Sequence, residues 1–208
     1  MKMPSWRKPE GRVRPNGRIA LGLLLIGTGR PAGFAQFGRT LEAFGASLAP
    51  LLGFLIVLTC VIAVSGHPVE GLAAGLEGLC ALLAPAVIAE LFCLRWQRTE
   101  HWAMYANVLN CAQWLMLTIL LLLLPVASVA VNLGLPVDWA GRLAMAAFAI
   151  YALWFHWFAA RHVLKLSGLR ALAVMLGVVF GTGLLLQVPP LLGGHSIPGA
   201  PNAARTAG

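Results

Sequence analysis

Four polar side chains stand where apolar sequence surrounds them: Glu90, Asn110, Gln113 and His156. A carboxyl and an imidazole can each take or give a proton, while the two amides both donate and accept hydrogen bonds. Brought together inside a bilayer, such groups form a proton or ion relay, or a polar binding pocket. The same types also act as interhelical hydrogen bonds that fix a bundle, at about 0.6 kcal/mol each in measured cases. Asn107, Asn110 and Gln113 follow at steps of three, which places them along one side of a helix. Tyr151 precedes His156 by a little over one turn.

Other chemistry finds no set of residues to carry it. His67 and His195 belong to connecting or terminal segments, His101 to a connector and His162 to the end of an apolar run, so neither a paired-histidine haem site nor a zinc cluster is expected. Cys60, Cys80, Cys93 and Cys111 are dispersed without a C-x-x-C pair and read as small hydrophobes. With no convergent nucleophile or carboxylate pair, the chain is expected to be neither an enzyme nor a cofactor protein.

Composition names the solvent in which these residues sit. Of the 208 residues, 59% are hydrophobic and only 11% charged. Soluble domains carry about 25% charged residues, so much of this surface must face lipid. The net charge of +8 lies in the N-terminal region and in connectors. No basic stripe interleaved with aromatics is present to grip a nucleic acid strand, and none is expected as a partner. The expected partners are the lipid bilayer and, within it, another membrane protein or a second copy of the chain. Arginine far exceeds lysine, which together with the Ala, Gly and Leu content suggests a bacterial source.

The elements that position the polar groups follow from the apolar runs. Residues 1–18 are basic and broken by Pro4, Pro9 and Pro15, and read as a disordered tail. The run Ile19–Gly29 would reach only ~16 Å as a helix, half of the ~30 Å hydrocarbon thickness. It is read with residues 30–45 as an interfacial segment; a re-entrant or signal segment also fits its short apolar length and the small residues Gly33 and Ala35. Phe34, Phe37, Leu41, Phe44 and Leu48 recur at steps of three and four, which predicts one helical face. Residues 46–188 then form a five-span domain, with spans near Ala46–Val64, Gly71–Leu94, Asn107–Val131, Gly141–Ala160 and Leu169–Val188. Pro189-Pro190 should end the last of them, and residues 189–208 read as a disordered tail. Gly71–Gly75 and Gly177–Gly181 are small-xxx-small pairs that suit close helix packing. Trp96, Trp102 and Tyr105 read as an aromatic belt at one membrane interface. The fold expected is an all-α, polytopic membrane helix bundle of about five transmembrane helices with an N-terminal interfacial helix.

Charge gives an independent test of that count. With the N-terminus in the cytoplasm, only Arg142 and Arg205 of the 15 basic residues fall on the exterior side. The connectors 65–70 and 132–140 contain no Lys or Arg. Hydropathy and the positive-inside rule therefore agree on a multi-pass protein of the bacterial inner membrane with its C-terminus outside. Glu90, Asn110 and His156 then lie within ~10 Å of the cytoplasmic boundary, counted at ~1.5 Å per residue, and are expected to meet as a network.

Five spans after a cytoplasmic N-terminal region, the aromatic-rich stretch Tyr151-Ala-Leu-Trp154, and its exit through Arg161 to Arg170-Ala-Leu172 resemble the Yip family of Rab-interacting membrane proteins. The resemblance covers roughly residues 30–190. It implies a non-enzymatic protein that acts through membrane organisation or partner binding, and no partner-binding residue is carried over. A small transporter or channel subunit using Glu90, Asn110, Gln113 and His156 is the alternative. The topology is checked by reporters: one fused after Gly208 should be exterior, and one inserted between Arg98 and Glu100 cytoplasmic. Both on the same side would remove the five-span arrangement.

Overall fold

Five stretches of this chain are too apolar and too long to end before a bilayer does. The computed structural model describes residues 19–192, with side chains through Gln187. Among them the elements are α1 (Ile19–Gly27), a 3₁₀ turn (Pro31–Gln36), α2 (Leu41–Val64), α3 (Pro68–Arg95), α4 (Trp102–Asn132), α5 (Val137–Val163) and α6 (Gly168–Leu192). The five long helices have mean hydropathies from 1.6 to 2.6 over their most apolar windows and are each long enough to cross a membrane. The protein is thus an all-α, multi-pass membrane bundle. The expected tails at residues 1–18 and 193–208 lie outside the described residues.

Helix limits follow local chemistry. Thr40 is extended, and its hydroxyl accepts from Ala43 N at 3.2 Å, capping α2. Pro68 opens α3, where its missing N–H costs nothing. Pro50, Pro85 and Pro125 lie inside helices, as the apolar runs required. The Pro189-Pro190 stop is corrected, since α6 continues to Leu192. A proline lacks the donor but its φ is already helical, so the backbone can finish a turn.

The N-terminal region departs from its periodicity. Phe34 lies in the 3₁₀ turn, Phe37 is extended at φ −97° and ψ 138°, and α2 begins only at Leu41. The single helical face through Phe34, Phe37, Leu41, Phe44 and Leu48 is therefore corrected: a non-helical segment between Gln36 and Leu41 divides it. Phe34 and Phe37 are buried at 6% and 5% exposure, whereas Leu41 is 66% exposed. The short helix α1 ends where Gly29, at φ +80°, takes a left-handed turn, and Arg30 N reaches back to Leu25 O at 2.8 Å. The chain then folds back on α1 as a compact hairpin. A Cβ on Gly33 would lie 2.6 Å from Gly22 O and 2.8 Å from side-chain atoms of Leu25 and Ile26. Only glycine permits that approach.

The hairpin is fastened to α4 and α5. Tyr151 Oη donates to Gly27 O at 2.9 Å, and Phe34 meets the rings of Phe158 and His162 at 5.5 and 6.1 Å. The long helices pack in the ring order α2, α3, α6, α5, α4, with α3 and α4 also touching across it. Both small-residue pairs lie on seams with α3. Gly71 and Gly75 face Thr59 and Ala63 of α2, while Gly177 and Gly181 face Phe92 and Ile88 of α3. The expected packing role of these pairs is what the structure shows.

Buried side chains gather at one end of the bundle: Ala89 and Cys93 of α3, every residue from Ala103 to Ala112 of α4, Phe155 to Val163 in part, and Ala171, Val174 and Val178 of α6. That end also carries Arg39, Arg95, Arg98, Arg161, Lys165 and Arg170, and is called the basic end below. α2 contributes no buried residue. The 31 residues of α4 extend ~46 Å at ~1.5 Å each, well beyond ~30 Å of hydrocarbon, so its first turns need cover from something other than lipid tails. Gly33→Val should loosen the hairpin at a cost of about 1–3 kcal/mol, the usual penalty of overpacking. It is measured as a lower unfolding midpoint in detergent, together with faster labelling of Phe37→Cys; unchanged values would contradict the close packing described here.

Candidate functional site

The four candidate polar residues take four different roles. Asn110 is 3% exposed and donates to Ser47 Oγ at 3.1 Å, and that hydroxyl donates to Phe44 O at 2.7 Å. It fastens α4 to α2. His156, half-buried on α5, has Nδ1 at 2.8 Å from Ala152 O, one turn earlier in its own helix. A carbonyl can only accept, so that ring nitrogen carries the proton. Gln113 is exposed on α4 and lines an apolar cavity of about 270 Å³ with Leu51, Phe54 and Leu117. Glu90 is half-buried on α3 and, among the described residues, makes no hydrogen bond or ion pair.

No hydrogen bond joins Glu90, Asn110 and His156, and the expected network is corrected accordingly. Similar depth along three helices does not fix their rotation about their own axes. Asn110 turns toward α2, while the buried stripe of α5 runs through Phe155, Phe158 and Ala159, beside His156. Among the described residues, no three His, Cys, Asp or Glu side chains converge on a point that could hold a metal.

A second buried amide is Asn107, which sequence spacing placed beside Asn110 without separating the two. It is 5% exposed; its Nδ2 donates to Gly38 O at 3.1 Å, and Cys111 Sγ approaches its Oδ1 at 3.6 Å. It ties the hairpin's return strand to α4. Gly38, in a break between a 3₁₀ turn and a helix cap, was the signal for a free carbonyl. The aromatic belt is also corrected in part. Tyr105 is fully buried, and among the described residues no group pairs with its hydroxyl, because the first turns of α4 are enclosed by neighbouring helices. Trp102 is half-buried and donates to Ala86 O of α3 at 2.8 Å, and Trp157 donates to Gly168 O at 3.1 Å.

Between α1, the segment 36–40, α2 and α4 lies a cavity of about 520 Å³. Its wall combines Leu23, Pro50 and Trp114 with the polar Gln36, Thr40, Glu42, Ser47 and Asn107. Pockets of a few hundred cubic ångströms, mostly apolar with a few placed polar groups, are the usual form of small-molecule sites. No protein-family model matches the chain, and neither a curated protein nor a solved structure is significantly similar to it.

The Asn110–Ser47 bond is open to a double-mutant cycle. Asn110→Leu and Ser47→Ala should be less than additive in unfolding free energy, with a coupling of about 0.6 kcal/mol. Strict additivity would show that the two side chains do not depend on each other.

Proposed function

We propose that the protein is a non-enzymatic, Yip-like protein of the bacterial inner membrane that works by binding lipid or a membrane-protein partner at its basic end, with that end in the cytoplasm. The observation that carries this reading is the coincidence at one end of the packed core, the basic side chains and the cavity. Arg161 stands 5.3 Å over the Trp157 ring and Arg170 5.9 Å over Trp96, so guanidinium groups are held beside aromatic rings where a headgroup layer would meet them. Among the described residues, only Arg142 supplies a basic charge at the opposite end, over Trp139 at 5.8 Å. That asymmetry supports a cytoplasmic basic end.

The hydrogen bonds of the asparagines favour this reading over transport. Asn107 and Asn110 spend their amides on Gly38 and Ser47, so they hold the scaffold rather than line a conduction path. Glu90 keeps the transporter alternative testable, since a half-buried carboxyl without a protein partner is the group a proton path would use. Proteoliposomes of the wild type and of Glu90→Gln should both match protein-free liposomes in proton-coupled flux. A defined membrane protein, or a second copy of the chain, should copurify from native membranes. Flux present in the wild type and lost in Glu90→Gln would overturn the proposal in favour of the transporter.

A further inference from the structure

We infer that the 520 Å³ cavity between the N-terminal hairpin, α2 and α4 is a binding site for one bilayer lipid with an ammonium headgroup, of the phosphatidylethanolamine class. The inference rests on the proposed reading only for the leaflet involved, which would be the cytoplasmic one. The walls are graded along the bundle axis. Thr40 and Glu42 stand where α2 starts, and Asn107 is within the first turns of α4. Pro50 and Trp114 lie farther along the same two helices, about 10–12 Å deeper at ~1.5 Å per residue. An amphiphile seated with its head at the helix starts and its chain toward Trp114 matches polar to polar and apolar to apolar. Ile19 and Trp114, at 48% and 41% exposure, border the cavity and face the lipid phase, so a chain can enter sideways from the leaflet without crossing protein.

Charge selects the headgroup. Glu42 is the one carboxylate in the wall of this cavity, and among the described residues it has no ion-pair partner. A carboxylate at a headgroup level that is otherwise basic repels phosphate-only headgroups and accepts hydrogen bonds from an ammonium. Gln36 and Thr40 add neutral polar atoms beside it that can meet the remaining headgroup oxygens. Anionic lipid would instead be drawn to the arginines that sit over tryptophan outside the cavity.

The experiment is native mass spectrometry of the full-length protein released from nanodiscs of ethanolamine and glycerol phospholipids in equal amounts. The wild type should retain one ethanolamine lipid per chain in preference to the glycerol lipid. Glu42→Gln, an exposed substitution that leaves packing alone, should reduce that preference about tenfold, the scale of one charge-assisted hydrogen bond. Ala46→Trp, which fills the cavity from α2, should abolish retention while Glu42→Gln retains the native elution volume. Undiminished retention of the ethanolamine lipid by Ala46→Trp, or an unchanged preference in Glu42→Gln, would overturn the assignment. So would a gain in retention on deleting residues 2–17, which would make the basic tail the occupant. Reporter orientation is read on the same preparations: a reversed bundle that still selects ethanolamine lipid removes the cytoplasmic reading and keeps the site.

Discussion

From Ala103 to Ala112, α4 is covered by protein on every side, and the arrangement of its neighbours follows from the need to cover it. A helix buried all round has no polar face to turn outward, so each polar group in it must find a partner inside. Asn107 finds Gly38 O in the hairpin and Asn110 finds Ser47 in α2. Those two bonds bring a short non-spanning hairpin and a lipid-exposed helix onto the same segment. Losing either would leave a buried amide unsatisfied, at a cost of about 1–3 kcal/mol. Tyr105, in the same segment, is fully buried and its hydroxyl meets no hydrogen-bonding protein group among the described residues.

Enclosure at one end and exposure elsewhere reflects two solvents. In hydrocarbon a leucine gains little by leaving lipid for protein, so no hydrophobic force drives the helices to bury one another. Phe54, Leu121, Leu122 and Ile150 accordingly remain exposed at 57–69%. At the basic end the alternative solvent is water and headgroups, and apolar burial is favourable by roughly 25 cal/mol per Å². Phe34, Phe37, Phe155 and Phe158 are buried there. The hairpin's aromatic side chains complete the wall around α4 and α5 there, while its tip, at Leu24, Gly27 and Thr28, reaches farther along the bundle beside Leu115, Ile119 and Tyr151.

This division also explains which features were legible in the sequence. Length and hydropathy set the five long helices, because a span is specified by a run of residues and not by their arrangement around the axis. Charge asymmetry separated the two ends of the bundle, and the core lies at the basic one. Rotation about each axis was legible only where paired glycines marked a packed face; elsewhere, with lipid as apolar as a protein core, apolar residues serve equally on a packed face and a lipid-facing one. Glu90 and His156 were therefore expected to meet Asn110, and no hydrogen bond joins the three. The aromatic period from Phe34 to Leu48 misled for a different reason. Steps of three and four cannot reveal an interruption of the helix, and the one at Gly38–Thr40 is marked only by a helix-capping threonine behind a glycine.

Packing away from the basic end needs a force other than the hydrophobic effect, and the glycines supply the geometry for it. Dispersion between helices falls steeply with separation, so it contributes most where backbones come close. Gly71 and Gly75 let α3 approach Thr59 and Ala63 of α2, with a Cβ on either glycine falling within 2.5–2.9 Å of existing atoms. On the other side of α3, and reaching into the basic end, Gly177 receives the Phe92 ring and Gly181 the Ile88 side chain, beside the buried Ala89 and Cys93. α3 is thus held on two seams by small residues, while α4 is held by burial and by two amides. The bundle combines a contact-packed half within the lipid and a hydrophobically packed half at its basic end, and the cavity beside Glu42 lies where α2, a member of the first, meets α4, the centre of the second. Neither packing force closes that junction, so the space between them is left to a molecule that is itself half polar and half apolar.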